Sequence, residues 1–134
     1  MSIARTVALV LGVVYVLVGI VGFLPAPLVT ENMTDAASGA ILGIFPINAL
    51  HNVVHLAIGA ALLYGSTATS AAVLVSRIVG AVYIVVGLLG FVSPSTFGLM
   101  PIGGADIFLH LGTGLVLLFI GFSQVDEPTM APAR

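Results

Sequence analysis

"GVVYVLVGIVGFL" (residues 12–24) returns without a gap as "GAVYIVVGLLGFV" (residues 80–92), at an offset of 68. Seven of the thirteen positions are identical, among them Gly12/Gly80, Tyr15/Tyr83, Gly19/Gly87, Gly22/Gly90 and Phe23/Phe91. A second pair follows. "GIFPINALHNVVHLAIGAALL" (43–63) aligns on "GLMPIGGADIFLHLGTGLVLL" (98–118) at an offset of 55, and matches Gly43/Gly98, Pro46/Pro101, His55/His110 and Gly59/Gly114. Apolar composition alone produces chance matches, but not aligned proline, histidine, tyrosine and glycine landmarks. The chain therefore reads as a duplicated helical hairpin. Because the offsets differ by 13, the first hairpin carries extra residues between its helices, around residues 26–41.

Composition gives the class. The 134 residues are 60% hydrophobic and 6% charged, with a mean hydropathy of +1.28, whereas a soluble domain carries about 25% charged residues. Such a chain cannot make a soluble surface and reads as an integral membrane protein. A spanning helix needs about 20 mostly apolar residues, and four runs qualify: Ala4–Leu24, Ile41–Leu63, Ala72–Val92 and Ile102–Phe122. The expected fold is an all-α four-transmembrane-helix bundle made of two hairpins. Residues 1–122 form the membrane domain (repeats 4–63 and 72–122), and residues 123–134 form a polar tail. The first run is longer than the apolar core of a signal peptide, about 7–15 residues, and it recurs mid-chain, so it reads as a permanent helix. The net charge of −2 offers no basic footprint for nucleic acid. There are no cysteines for disulfides or thiolate metal sites.

Two helices per repeat carry both halves into the membrane in the same sense, giving a pseudo-twofold axis along the membrane normal. Arg5 and Arg77 lie near the starts of the first and third spans, while Glu31 and Asp35 fall in the first hairpin loop. The positive-inside tendency then places both termini in the cytoplasm of a multi-pass cell-membrane protein. Segment 30–40 ("TENMTDAASGA") reads as an outside loop or short interfacial helix, its two acidic residues solvated. Gly12, Tyr15, Gly19 and Gly22 share one helix face, a small-residue stripe of the kind that lets membrane helices approach closely.

Only three histidines occur, and two stand four residues apart in "PINALHNVVHL" (46–56). Four residues make about 400° of helix rotation and about 6 Å of rise, so His51 and His55 share a face. Under the repeat alignment His51 falls on Asp106 and His55 on His110, giving a second pair with the same spacing. An ionised carboxylate inside a bilayer costs at least about 2.5–3.5 kcal/mol on insertion scales and turns toward protein or water. Three imidazoles and one carboxylate are thus expected to face the axis, in the half of the membrane nearer the hairpin loops. Tyr15, Tyr83, Asn48 and Asn52 are candidates to support them, since ligating histidines usually bond a further partner through their second nitrogen.

"GIFPINALHNVVHLAIG" followed by "ADIFLHLGTG" resembles the prokaryotic domain-of-unknown-function family 4383, small four-helix membrane proteins with an F-P-x-N-x-x-H-N-x-V-H signature. Here Phe45, Pro46, Asn48, His51, Asn52, Val54 and His55 match it, with Asp106 and His110 in the later segment. The resemblance covers about residues 1–122 and implies the topology without an activity. A more distant likeness is to DoxX- and DoxD-type four-helix subunits.

Three readings of the cluster stand open. His51, His55, His110 and Asp106 suit a divalent metal, zinc, copper or iron. His55 and His110 suit the axial positions of a b-type haem, though packed glycines leave it little room. Alternatively the cluster is a polar knot that pairs helices in a structural or accessory subunit. No nucleophile elbow, phosphate loop or carboxylate pair assigns catalytic residues. The expected partners are the lipid bilayer and, within a larger redox or transport assembly, other membrane subunits or further copies of the chain.

Overall fold

The first helix starts where the Ser2 hydroxyl accepts a bond from the Arg5 amide at 3.4 Å, which satisfies one of the free donors at a helix start. The apolar run carries this helix, α1 (Ile3–Val21), to Gly22, just before Pro25 and Pro27. This computed structural model of the chain describes residues 1–31 and 37–123. The order continues with three short strands, β1 (Val29–Thr30), β2 (Gly39–Ile41) and β3 (Phe45–Ile47), and then α2 (Ala49–Gly65), α3 (Thr69–Val92) and α4 (Ala105–Ser123). A single 3-10 turn, Thr96–Gly98, lies between α3 and α4.

The strands depart from expectation. Residues 41–47 do not belong to a helix, and of segment 30–40 the described ends, Thr30, Gly39 and Ala40, are strand, while residues 32–36 lie outside the described residues. The strands build an antiparallel sheet in the order β1-β2-β3, with Val29 opposite Ile41 and Ala40 opposite Pro46. Leu42 and Gly43, at φ of 53° and 70°, form the tight turn between β2 and β3. Two successive positive φ values suit the twist of a hairpin and stop any helix from running through. Pro46, which has no N–H to donate, sits on the edge strand, where none is needed. Glu31 is exposed. Asp35 and the tail from residue 124 lie outside the described residues.

α2 accordingly begins at Ala49, not at residue 41, capped by Asn48. Its 17 residues span about 25 Å, against a hydrocarbon thickness of about 30 Å. The other three helices are each long and apolar enough to cross a membrane, and their outward faces are apolar as well. Val85, Val92, Leu115 and Phe119 are among many large side chains left exposed. An apolar exterior on long apolar helices marks a membrane protein.

α1 packs on α2 and α3 on α4; α2 touches α3, while α1 and α4 scarcely meet. The pairs close at glycine. A Cβ on Gly59 would come within 2.7 Å of the Val16 backbone nitrogen and 3.0 Å of the Gly12 carbonyl oxygen. On the other pair, a Cβ on Gly114 would lie 3.0 Å from the Gly80 carbonyl oxygen and from Ile84. Gly19 meets Leu56 as Gly87 meets Leu111. The interior is divided along its length. Ala4, Ala8, Leu62, Ala72 and Leu117 fill the end where the chain starts, Tyr15 and Tyr83 come next, and the histidines lie beyond them beneath the sheet.

At the end away from the sheet, Arg5 Nε donates to the Ser66 carbonyl and Arg77 Nε to the Gly121 carbonyl, each at 2.7 Å. Both guanidinium groups thereby meet the unsatisfied carbonyls and negative dipole of a helix C-terminus. Arg77 also lies 4.8 Å above the Phe122 ring.

Gly59→Ala and Gly114→Ala should each destabilise the protein by about 1–3 kcal/mol, because the added carbon forces packed helices apart. Gly112→Ala has no neighbour to displace and should be neutral or, through helix propensity, stabilising by up to about 1 kcal/mol. Thermal unfolding in detergent measures all three, and equal losses would contradict the close-packing account.

Candidate functional site

Asn48 places the first histidine. Its Oδ1 accepts from the His51 amide at 2.8 Å, and its Nδ2 donates to the Leu99 carbonyl at 2.8 Å. The cap of α2 is thereby tied to the segment that leads into α4. His51 is the third residue of α2 and Asp106 the second of α4. The cluster therefore occupies the opening turns of both helices, nearer their ends than a helix beginning at Pro101 would place it.

The spacing of four does what helix geometry requires. His51 and His55 stack along one face with ring centroids 4.5 Å apart, and His110 faces them from α4, its ring 6.0 Å from that of His51. One nitrogen from each of the three histidines falls within 4.8 Å of the other two. Asp106 stands beside this set, its carboxylate 3.5 Å from His110 Nδ1 and 3.9 Å from His51 Nε2. All four residues are at most 4% exposed.

His110 Nδ1 also lies 2.9 Å from the backbone oxygen of Asp106. A carbonyl oxygen only accepts, so this bond puts the proton on Nδ1 and leaves Nε2 as the lone-pair donor. Both ring nitrogens of His51 and of His55, and Oδ2 of Asp106, are buried without a hydrogen-bond partner among the described residues. The carbonyls of Pro46 and Pro101 approach the His51 ring but fall outside hydrogen-bond geometry. Buried polar atoms are nearly always paired, and an unpaired one costs about 1–3 kcal/mol. A cluster of them is a group of donors and acceptors without a partner of its own.

The remaining candidates separate. Tyr15 packs on His55 with centroids 5.5 Å apart and Tyr83 on His110 at 4.9 Å, while the two tyrosines meet edge to face at 5.4 Å. Asn48 acts through the backbone of His51. Asn52, 1% exposed, turns instead toward α1, where its side-chain amide lies against Gly22. No contact with a histidine ring places Asn52 in the cluster.

Sequence reasoning missed a cavity of about 390 Å³ that reaches the cluster from the α1–α4 side. Leu11 and Val18 of α1, Leu109 and Thr113 of α4, and Ile41 and Phe45 of the sheet enclose it, with His51, His55 and Asp106 at its polar end. A hollow of only about 40 Å³ reaches His51, His55 and His110 from the α2–α3 side, beside Tyr83. The cavity depends on the sheet, and the apolar run 39–47 gave the sheet no hydropathy signal.

The family model described as "Domain of unknown function (DUF4383)" matches residues 5–123, and the chain belongs to that family. No curated protein and no solved structure matches it.

Asn48→Ala should cost about 1 kcal/mol through the lost cap and should free the start of α2 from Leu99. Asn48→Asp keeps an acceptor for the His51 amide but has no N–H for Leu99. Hydrogen exchange at the His51 amide should therefore rise strongly in the first variant and little in the second.

Proposed function

We propose that this family member is a multi-pass, four-span membrane protein whose His51, His55, His110 and Asp106 bind a divalent metal ion. The observation that carries the reading is the convergence of three buried histidines from two helices, two of them with both nitrogens unpartnered. Zinc–nitrogen bonds of about 2.0–2.1 Å put neighbouring donors about 3.3 Å apart, so binding draws the imidazoles inward by side-chain rotation. Asp106 completes the set from ion-pair distance, and the Asp106 carbonyl fixes the His110 tautomer in the way outer partners of metal-bound histidines do. Three imidazoles and a carboxylate suit zinc, and imidazole also suits copper and iron.

The competing readings find less support. A knot that merely locked the helices would stabilise through bonds made, yet the His55 ring has no hydrogen-bond partner among the described residues and His51 has only the 3.9 Å approach of Asp106 and the two proline carbonyls. Haem would need a macrocycle between His55 and His110, where Tyr15 and Tyr83 are packed together.

The bundle is further read as two copies of one hairpin, residues 4–63 and 72–122. Glycine contacts recur at the offsets of the repeat, as do the Tyr15–His55 and Tyr83–His110 pairs. The arginine acceptors Ser66 and Gly121 also correspond. Arg5 and Arg77 at the end remote from the cluster favour cytoplasmic termini and a site near the opposite membrane face.

Metal analysis and an absorption spectrum of detergent-purified protein test the site. Bound zinc, copper or iron without a Soret band is expected. His55→Ala and His110→Ala should abolish retention, and Asp106→Ala should weaken it by about 10–100-fold. Wild-type protein that takes up no added metal would return the cluster to helix pairing. A Soret band lost in both histidine variants and kept in Asp106→Ala would mean haem. For orientation, the cysteine-free chain allows single labels. Leu42→Cys and Phe97→Cys should react with an impermeant maleimide on intact cells, and Thr67→Cys only after permeabilisation.

A further inference from the structure

We infer that the cavity between α1 and α4 is a binding site for a neutral amphiphile with a hydroxyl-bearing aromatic head, admitted sideways from the bilayer. This rests on the histidine–aspartate cluster being a binding site, as proposed above, and deepens that reading by naming the class of molecule that meets it.

Size comes first. A cavity of about 390 Å³ lies at the lower end of the range of about 300–1,000 Å³ for small-molecule sites, enough for one ring and the start of a tail. A second hollow of about 350 Å³ continues along the same seam, sharing Leu11, Leu109 and Thr113 with the first and running past Gly112 and Val116. Gly112 has nothing within 4 Å of where its Cβ would stand. The seam is open because α1 and α4 scarcely touch, and it offers an apolar track along which a tail leaves toward lipid.

The polar end selects the head. His51, His55 and Asp106 line the cavity and are 2%, 4% and 2% exposed, and five of their side-chain nitrogen and oxygen atoms have no hydrogen-bond partner among the described residues. A neutral imidazole offers one N–H and one lone pair, while an ionised carboxylate only accepts. A hydroxyl answers both with a single atom, donating once and accepting from an N–H. A cationic head would carry the cost of crossing hydrocarbon, an anionic head would face Asp106, and a plain hydrocarbon would leave the polar atoms unpaired. Tyr15 and Phe45 join the two imidazoles around the space, so an aromatic head finds rings to pack against.

The test compares two probes that differ by one oxygen, 4-heptylphenol and heptylbenzene, in nanodiscs of the full chain, with lipid-only nanodiscs as the partition baseline. Zinc retention is measured in the same samples. The phenol should bind saturably, and the hydrocarbon roughly tenfold more weakly, the change expected for one or two hydrogen bonds lost. Leu109→Trp fills the cavity from α4, and Val14→Phe from α1, where Val14 also lines it; either should remove phenol binding while zinc retention is unchanged. Equal or unsaturable uptake of both probes overturns the inference, whatever zinc does. So does wild-type phenol affinity in both filled variants. Saturable, phenol-selective binding by a chain that retains no zinc supports the cavity and removes only the metal from the proposal above.

Discussion

Where a Cβ would collide with a neighbouring backbone, at Gly59 against Val16 and at Gly114 against Gly80, two helices lie closer than any larger residue would permit. In an apolar solvent, burying a leucine gains little over leaving it in lipid, so close van der Waals contact supplies most of the attraction between helices. The rest of the architecture follows from that approach. With α1 held on α2 and α3 on α4, the tyrosine of each first helix falls against the deeper histidine of its partner, and the polar residues have only the interior to occupy.

The two halves share a scaffold and differ at the chemistry. Under the repeat alignment of the sequence His51 falls on Asp106, so the cluster is not symmetric even where the two halves correspond. The opening turn of α4 is a favourable place for the one carboxylate within the described helices, because the helix dipole presents positive charge there. Its oxygens then look across at two imidazoles instead of at another acid. The matching helix start in the first hairpin uses an uncharged amide, Asn48, to make its cap and to hold the two starts together.

Much of this was legible in the residues. Long apolar runs gave the helices, and the spacing of four gave the shared faces of His51 with His55 and of Asp106 with His110. Legibility failed where hydropathy is blind to backbone conformation. Residues 39–47 are as apolar as a helix, and only the positive φ at Leu42 and Gly43 turns them into a hairpin. Asn52, whose side-chain amide lies against Gly22, shows a related effect. Being next to a histidine in sequence puts a residue about 100° around the helix, which is enough to face α1 instead of the cluster.

The sheet has one more effect, because it makes the two sides of the helix pairs unequal. Two helix pairs leave two seams between them, yet the described strands line the cavity on the α1–α4 side, and the α2–α3 side keeps a hollow of about 40 Å³. With the sheet at the same end as the histidines, the guest inferred above would meet the polar groups from one leaflet of the bilayer only. On the reading proposed above, such a site samples one monolayer and ignores the other, a vectorial property that neither the helices nor the histidines would confer alone.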